Sequence, residues 1–218
     1  MIHYKRNLVY INVIALAMLF SCKSNQVKEE KEKSYKKPNI VLLFVDDYGW
    51  SDIGYRNSTF KTPNLDQFKK ESLDFTRAYI PTPTCSPSRV SLLTGKESAR
   101  LGMSRHIPGE ELFINEAYNV WPKDPVQRPS RNYLPLEEVT YAEELKKHGY
   151  YNYFIGKWHV GHVGRYPIDQ GFDAEFGVTD HGHPKSYYFP FFKSGDPKNF
   201  MKDYKKGDYL TDVLCIWA

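Results

Sequence analysis

The feature that most constrains the fold is a continuous apolar run, Asn39–Val45 (NIVLLFV), that leads directly into Asp46-Asp47. An uninterrupted run of this kind predicts a strand buried on both faces, which is typical of parallel sheets. In open α/β sheets, ligands bind beyond the carboxyl ends of the strands. Two adjacent carboxylates there repel each other unless a cation or hydrogen-bond donors compensate them. The pair is therefore a candidate cation site, and a capped turn is the alternative.

Helix signals and strand signals alternate along the rest of the chain, which predicts an α/β fold with a largely parallel sheet flanked by helices. Helices are indicated by a capping residue followed by proline, or by a threonine cap, and they end at glycine. The predicted elements are a helix from Thr62-Pro63, a strand around Leu73 and Phe75, a helix from Ser86-Pro87 to Gly95 with Val90, Leu92 and Leu93 buried, a helix from Thr140 to Lys147 before Gly149, and a strand at Tyr151–Ile155.

Two long stretches lack this periodicity. Residues 104–135 contain five prolines and few regularly spaced apolar positions, so they are interpreted as either functional or disordered. Residues 166–208 are rich in aromatic side chains, including Tyr187 and Phe192. Such side chains either pack beneath a long loop or line a pocket for carbohydrate or aryl groups.

Charge is distributed unevenly. Residues 1–37 hold eight Lys/Arg and three Glu, whereas the whole chain has a net charge of +4, so residues 38–218 are close to neutral. A near-neutral body offers no basic surface to a nucleic acid, and nucleic-acid binding is excluded on this ground.

The N-terminus has the proportions of a secretory signal, because Lys5 and Arg6 precede an apolar core that is too short to span a bilayer. Leu19-Phe20-Ser21-Cys22 resembles the bacterial lipoprotein signal, which implies cleavage before Cys22 and its acylation. An ordinary cleaved signal is the alternative. The predicted domains are a signal peptide at 1–21, a disordered tether at 22–37 and a folded part at 38–218. The predicted location is the bacterial cell envelope, lipid-anchored on the periplasmic side or at the cell surface.

Cys85 stands directly before a predicted helix start, where free backbone N–H groups and the helix dipole favour negative charge. Arg89 follows four residues later and adds a cation over the same turn. These residues predict an anion-binding turn with a possible nucleophile. A buried structural cysteine is the alternative.

Cys85-Ser86-Pro87-Ser88-Arg89 resembles the Cys-x-Pro-x-Arg signature of the formylglycine-dependent sulfatases, which belong to the alkaline phosphatase superfamily. Three further segments resemble the same family in the same order along the chain. They are Asn39 to Asp47, Gly156-Lys157-Trp158-His159-Val160-Gly161 and Gly171-Phe172-Asp173. Because four matches occur in family order, the chain is identified as a member of this family, with the N-terminal part of its catalytic domain at 38–218.

The resemblance implies that a maturation enzyme oxidises Cys85 to formylglycine. One hydroxyl of the hydrated aldehyde attacks the sulfur of a sulfate ester, and deprotonation of the other expels sulfate and restores the aldehyde. In this scheme Arg89 polarises the formylglycine, Lys157 contacts the nucleophile and the sulfate, and His159 accepts a proton. Without the resemblance, the simpler interpretation is that Lys157 and His159 are two solvated side chains on one face of an extended segment.

The resemblance also implies that Asp46, Asp47 and the modified Cys85 bind a divalent cation. Oxygen ligands favour Ca²⁺ or Mg²⁺ over zinc, and calcium is expected here rather than magnesium. His183 lies where substrate-contacting loops are expected, whereas His162 is predicted to be a surface histidine. The expected substrate is a sulfated small molecule or glycan that comes from outside the cell.

The end of the sequence departs from the family pattern. Tyr209-Leu210-Thr211-Asp212 resembles a helix start of the sulfatases, but Val213–Ala218 does not continue it, and Cys215 is taken as incidental. The expectation is premature termination, so that the sheet is incomplete on its C-terminal side, the cation binds weakly and sheet edges stay open. Thr179-Asp180-His181-Gly182 imitates a later metal-binding pair of the family, but no buried strand run precedes it.

Two other functions fit the same residues. A phosphoester or phosphonate hydrolase of the alkaline phosphatase superfamily shares the sheet and the metal-binding edge. A non-catalytic lipoprotein remnant fits the short chain.

Overall fold

A computed structural model describes residues 36–108, 116–119, 128–179, 181–192 and 204–218. Contacts divide the chain into two units, residues 1–45 and residues 46–218. The predicted signal peptide, the lipid-attachment residue Cys22 and most of the tether lie outside the described residues, as does Asp180. Within the described part of the chain, no helix has both the length and the apolar character needed to cross a membrane.

The first unit is described only at residues 36–45, which form neither helix nor strand. The predicted buried strand at 39–45 is wrong for this structure, since Val41 is 90% exposed and Leu43 is 77% exposed. A strand is stable only when neighbouring strands pair with its N–H and C=O groups, and none of the described strands pairs with this run.

The described residues of the second unit form four α-helices and four short strands. In chain order these are α1 Pro63–Glu71, α2 Cys85–Thr94, β1 Tyr118–Asn119, β2 Ser130–Arg131, α3 Tyr141–Lys147, β3 Tyr153–Ile155, a 3-10 helix Pro167–Gln170, β4 Ala174–Phe176 and α4 Leu210–Ile216. Strands β1 and β2 pair antiparallel, and β3 and β4 pair parallel. The predicted strand around Leu73 and Phe75 does not form, and both side chains are exposed.

Helix α2 ends at Gly95 as the sequence predicts, but it begins at Cys85, one residue before the predicted start at Ser86-Pro87. Its last turn is closed by Gly95, which has a φ of 67° and donates its N–H to the Ser91 carbonyl. Glycine adopts this left-handed conformation without the steric cost that other residues incur. Val90 and Leu93 are buried as predicted, whereas Leu92 is exposed.

Helix α3 is held at its start by Thr140, as predicted. The Thr140 hydroxyl accepts a hydrogen bond from the Glu143 N–H, and the Glu143 carboxylate accepts one from the Thr140 N–H. This reciprocal arrangement satisfies two backbone donors at the helix start. The same hydroxyl donates to the Gln170 carbonyl at 2.8 Å, which ties α3 to the 3-10 helix.

The main core is organised around Trp158, which is 1% exposed. Phe154 meets the Trp158 ring edge-to-face with centroids 5.0 Å apart, and it meets Phe172 in the same way at 5.3 Å. Edge-to-face packing of this kind adds to the free energy gained by burial of the rings. Because Trp158 is buried in the core, the backbone that carries Lys157 and His159 on either side of it is fixed.

Candidate active site

Lys157 joins two residues that are far away in the sequence. Its ammonium group donates to the Cys85 Sγ at 3.3 Å and forms an ion pair with the Asp46 carboxylate. Cys85 is the first residue of α2 and is half-buried, so its thiol remains accessible. The structure thus brings together the thiol, the cation and the acidic group that the sequence places in separate motifs.

Arg89 lies one turn further along α2 and is 8% exposed. Its Nη2 atom is 3.1 Å from Asp46 Oδ1, and its Nη1 atom donates to the Lys157 carbonyl at 2.6 Å. A planar guanidinium can make both contacts at once with a fixed geometry. Arg89 therefore fixes the position of the Asp46 side chain relative to the Lys157 backbone.

The Asp46 carboxylate is ionised at neutral pH. Partial burial acts to raise its pKa, but hydrogen bonds from Lys157 and Arg89 and their positive charges outweigh burial and lower the pKa below its ordinary value. A permanently ionised carboxylate is suited to bind a cation.

Asp46, Asp47 and Cys85 form a cluster that can hold a metal ion, since one ligand atom from each lies within 4.8 Å of the others. Asp47 has a φ of 51°, in the left-handed region. This conformation is uncommon for residues other than glycine, and it is often found at functional sites. The two carboxylates are hard oxygen ligands, as Ca²⁺ and Mg²⁺ prefer. The cluster therefore fits a divalent cation.

His159 is buried and also has a left-handed backbone, with a φ of 54°. Its Nε2 atom lies 2.8 Å from the Ile107 carbonyl, which can only accept a hydrogen bond, so Nε2 carries the proton. Burial lowers the pKa of His159 to about 4; the Ile107 bond opposes this shift, and the positive charges of Lys157, His106 and Arg89 add to it. The imidazole is neutral at pH 7, and its Nδ1 atom holds a lone pair.

These residues line one cavity of about 430 Å³. Its polar wall consists of Asp46, Asp47, Cys85, His106, Lys157, His159, Thr179, His181 and His183. Its apolar wall consists of Pro184, Tyr187, Phe192, Leu210 and Leu214. His183 therefore lies at the same cavity as the predicted catalytic residues.

Two histidines differ from what the sequence predicts. His106 lines the cavity although no motif marks it, whereas Tyr187 belongs to the aromatic stretch for which a pocket was one of two interpretations. His162, predicted to be on the surface, is 8% exposed, and its ring meets Tyr133 edge-on with centroids 6.0 Å apart. The Arg165 N–H donates to the His162 carbonyl at 2.7 Å and closes a tight turn, and the Arg165 guanidinium lies over the Tyr133 ring that packs against the histidine.

Comparison with known proteins agrees with this geometry. The family model named Sulfatase matches residues 38–214. Human arylsulfatase A is 42% identical over 147 residues, which are 66% of this chain and 25% of that protein. Human N-acetylgalactosamine-6-sulfatase is 37% identical over 162 residues, 73% of this chain and 28% of that protein.

Solved structures extend the comparison to the fold. The crystal structure of Ps i-CgsB matches with a TM-score of 0.58 and 27% identity over 80% of this chain and 35% of that chain. A Bacteroides thetaiotaomicron protein designated BT33336S-sulf matches with a TM-score of 0.53 and 30% identity, over 67% of this chain and 29% of that chain. These likenesses confirm the predicted α/β fold class.

The chain spans about a quarter of the length of the curated relatives it matches. The family model nevertheless covers most of the chain, including every residue of the cluster around Lys157. On this basis, the chain belongs to the sulfatase family.

Proposed function

We propose that this site hydrolyses sulfate esters and that Cys85, once oxidised to formylglycine, supplies the nucleophile. The observation that carries the proposal is the position of the Cys85 Sγ atom. It lies 3.3 Å from the Lys157 Nζ atom and within 4.8 Å of carboxylate oxygens of Asp46 and Asp47. A group attached at this position faces both a cation that can bind sulfate and an acidic pair that can bind a metal.

Three other side chains have separate roles in the proposed reaction. Lys157 binds a sulfate oxygen and stabilises the negative charge that develops there. His159 accepts a proton at Nδ1, because its Nε2 atom already carries one and its lowered pKa of about 4 keeps Nδ1 unprotonated at pH 7. Arg89 is a positioning residue, since it holds Asp46 and the Lys157 carbonyl at the same time.

Asp46 and Asp47 would hold Ca²⁺ together with the modified side chain at position 85. The cation, when bound, neutralises sulfate charge and lowers the pKa of a neighbouring hydroxyl. A thiol is a soft ligand that Ca²⁺ does not favour, whereas an oxygen in its place makes the set uniformly hard. The donor set therefore fits calcium better after modification of Cys85 than before it.

Calcium binding is tested by thermal unfolding of the purified chain with and without CaCl₂. We expect Ca²⁺ to raise the melting temperature, because it binds the folded site and not the unfolded chain. Asp47→Asn should remove the rise, and Glu137→Gln, which removes an exposed carboxylate outside the cluster, should keep it. An undiminished rise in Asp47→Asn would place the cation elsewhere.

A sulfated glycan is the proposed substrate class. Support comes from the relatives, since one structure of Ps i-CgsB contains k-i-k-neocarrahexaose and the BT33336S-sulf structure is titled for the metabolism of multiple glycosaminoglycans. The cavity adds to this support, because Tyr187 lines it and is 57% exposed. An exposed aromatic ring can stack on a sugar ring.

The N-terminal segment leads to a separate proposal, that Cys22 is acylated and anchors the protein in the bacterial cell envelope. It rests on Leu19-Phe20-Ser21-Cys22 and on the basic and apolar residues before it. Cells fed a labelled fatty acid should label the wild-type protein and leave Cys22→Ser unlabelled. Equal labelling of both would contradict the proposal.

The reaction is tested with the chain co-expressed with a formylglycine-generating maturation enzyme, which oxidises the cysteine with molecular oxygen. We expect a peptide containing residue 85 with a lower mass than cysteine gives, together with sulfate release from an aryl sulfate ester in the presence of Ca²⁺. Cys85→Ala should abolish sulfate release, and Cys215→Ser, which removes an exposed free thiol, should not.

Two results would change the conclusion. Full turnover by a chain that retains unmodified Cys85 would remove formylglycine from the mechanism. Faster hydrolysis of a phosphate ester than of the matching sulfate ester would favour the phosphoester hydrolase alternative.

A further inference from the structure

We propose that Ser86 is a positioning residue that sets the tautomer of His159 through the backbone of Ile107. The structure contains both hydrogen bonds of this relay, whereas the effect of the relay on catalysis rests on the proposed function. Ser86 directly follows Cys85 in α2. One end of one helix would thereby carry the nucleophile and also select the tautomer of the base.

The first step of the relay joins α2 to the loop that carries Ile107. The Ser86 hydroxyl accepts a hydrogen bond from the Ile107 N–H at 3.0 Å. Ser86 is 0% exposed and Ile107 is 5% exposed, so water does not compete for this bond. If the hydroxyl is removed, a buried N–H loses its acceptor, which costs more than the same loss in solvent.

The second step joins Ile107 to the imidazole. The Ile107 carbonyl accepts from His159 Nε2 at 2.8 Å, and this bond selects the neutral tautomer that is basic at Nδ1. No other described residue forms a hydrogen bond with Nδ1, which is buried. Gly182 lies against the ring, since a Cβ atom built on it would be 2.9 Å from Nδ1. The ring therefore has little room to turn once its bond to Ile107 is weakened.

A matched control exists on the same helix. Ser91 is buried like Ser86, but its hydroxyl has no hydrogen-bond partner among the described residues. Ser91→Ala thus removes a buried hydroxyl from α2 without touching the relay. Ser86→Thr retains the hydroxyl and should preserve the relay.

The tautomer is measured by NMR on the full chain labelled with ¹⁵N-histidine, with the His159 signals assigned from a His159→Gln sample. We expect a neutral ring protonated at Nε2 in the wild type and in Ser91→Ala, and a mixture of tautomers in Ser86→Ala. In the same variant, kcat for an aryl sulfate should fall about tenfold at unchanged KM. Rates are divided by the formylglycine content at position 85, since Ser86 is next to the residue that the maturation enzyme modifies.

Each outcome decides the proposal. A wild-type ring protonated at Nδ1 overturns it without any variant, and so does Ser86→Ala with an unchanged tautomer. A shifted tautomer with an unchanged rate retains the relay but removes its catalytic role. An unmixed Nε2–H tautomer in a wild-type protein that has no sulfatase activity leaves the relay in place and contradicts only the proposed function.

Discussion

The two walls of the cavity are built by different means. On the polar wall, His159 is buried and Lys157 is half-buried, and their contacts are hydrogen bonds and an ion pair that fix each group in direction. On the apolar wall, the Tyr187 carbonyl accepts from the Leu210 N–H at 2.8 Å, and the exposed Tyr187 ring meets the Tyr209 ring with centroids 6.5 Å apart. The first wall is preorganised for chemistry, and the second presents a surface that can adapt to a ligand.

This difference predicts that substitutions on the two walls change different kinetic constants. Groups fixed before the substrate arrives act mainly on the transition state and hence on kcat. An exposed ring that touches the unreactive part of a substrate changes binding and hence KM. Effects should decrease in size from Lys157 and His159 on the polar wall to Tyr187 on the apolar wall.

Replacing Lys157, whose ammonium group lies beside Cys85 and Asp46, should have the largest effect. Lys157→Met removes the positive charge beside Cys85 and Asp46, and we expect kcat for an aryl sulfate to fall about 10²- to 10³-fold. Lys185→Met, on an exposed lysine near the other wall, should change kcat less than about twofold. A similar loss in both variants would show that general charge, and not this position, supports the reaction.

The buried imidazole should make stability depend on pH. His159 has a pKa of about 4 in the folded protein, below its ordinary value of 6.5, so the unfolded chain binds the proton first as the pH falls. The free energy of unfolding should therefore decrease by about 2 kcal/mol between about pH 7 and about pH 5 from this residue alone. Urea unfolding measures this decrease. It should be smaller in His159→Gln and unchanged in His148→Gln, whose histidine is exposed.

The smallest effect is expected on the apolar wall. Tyr187→Ala should raise KM for a sulfated sugar or aryl sulfate about threefold to tenfold with little change in kcat, because an aromatic contact contributes about 1 kcal/mol. Tyr188→Ala is the control, since Tyr188 is equally exposed but does not line the cavity. A fall in kcat with constant KM would place Tyr187 with the reacting groups.

Local signals predicted the elements of the fold that depend on a few neighbouring residues. Gly95 ends α2 and Thr140 caps α3 because each acts within one helical turn. The run at 39–45 could not be placed in this way, since the burial of a strand depends on partners elsewhere in the chain. His162 was misplaced for a similar reason, because the ring that packs against it belongs to Tyr133, far away in the sequence.

The candidate site was predictable where a motif marks it and not elsewhere. Asp46, Asp47, Cys85, Lys157 and His159 stand in segments that resemble the sulfatases, and the structure brings them to one cavity. Ser86 stands in the same signature, but its link to His159 passes through Ile107, which has no motif of its own. Because every residue type has a backbone carbonyl, a hydrogen bond to that carbonyl cannot be predicted from the sequence.

The two contacts of the Arg89 guanidinium bear on how the chain folds. It reaches back 43 positions to Asp46 and forward 68 positions to the Lys157 carbonyl. Each contact forms only after its own long loop has closed, and each closure has an entropic cost that helix α2 alone does not incur. A large sequence separation between contacting residues slows folding. Arg89 should thus make its contacts late, well after helix α2 has formed. During that interval Cys85 lies on a formed helical turn while Asp46 and Lys157 are not yet in place.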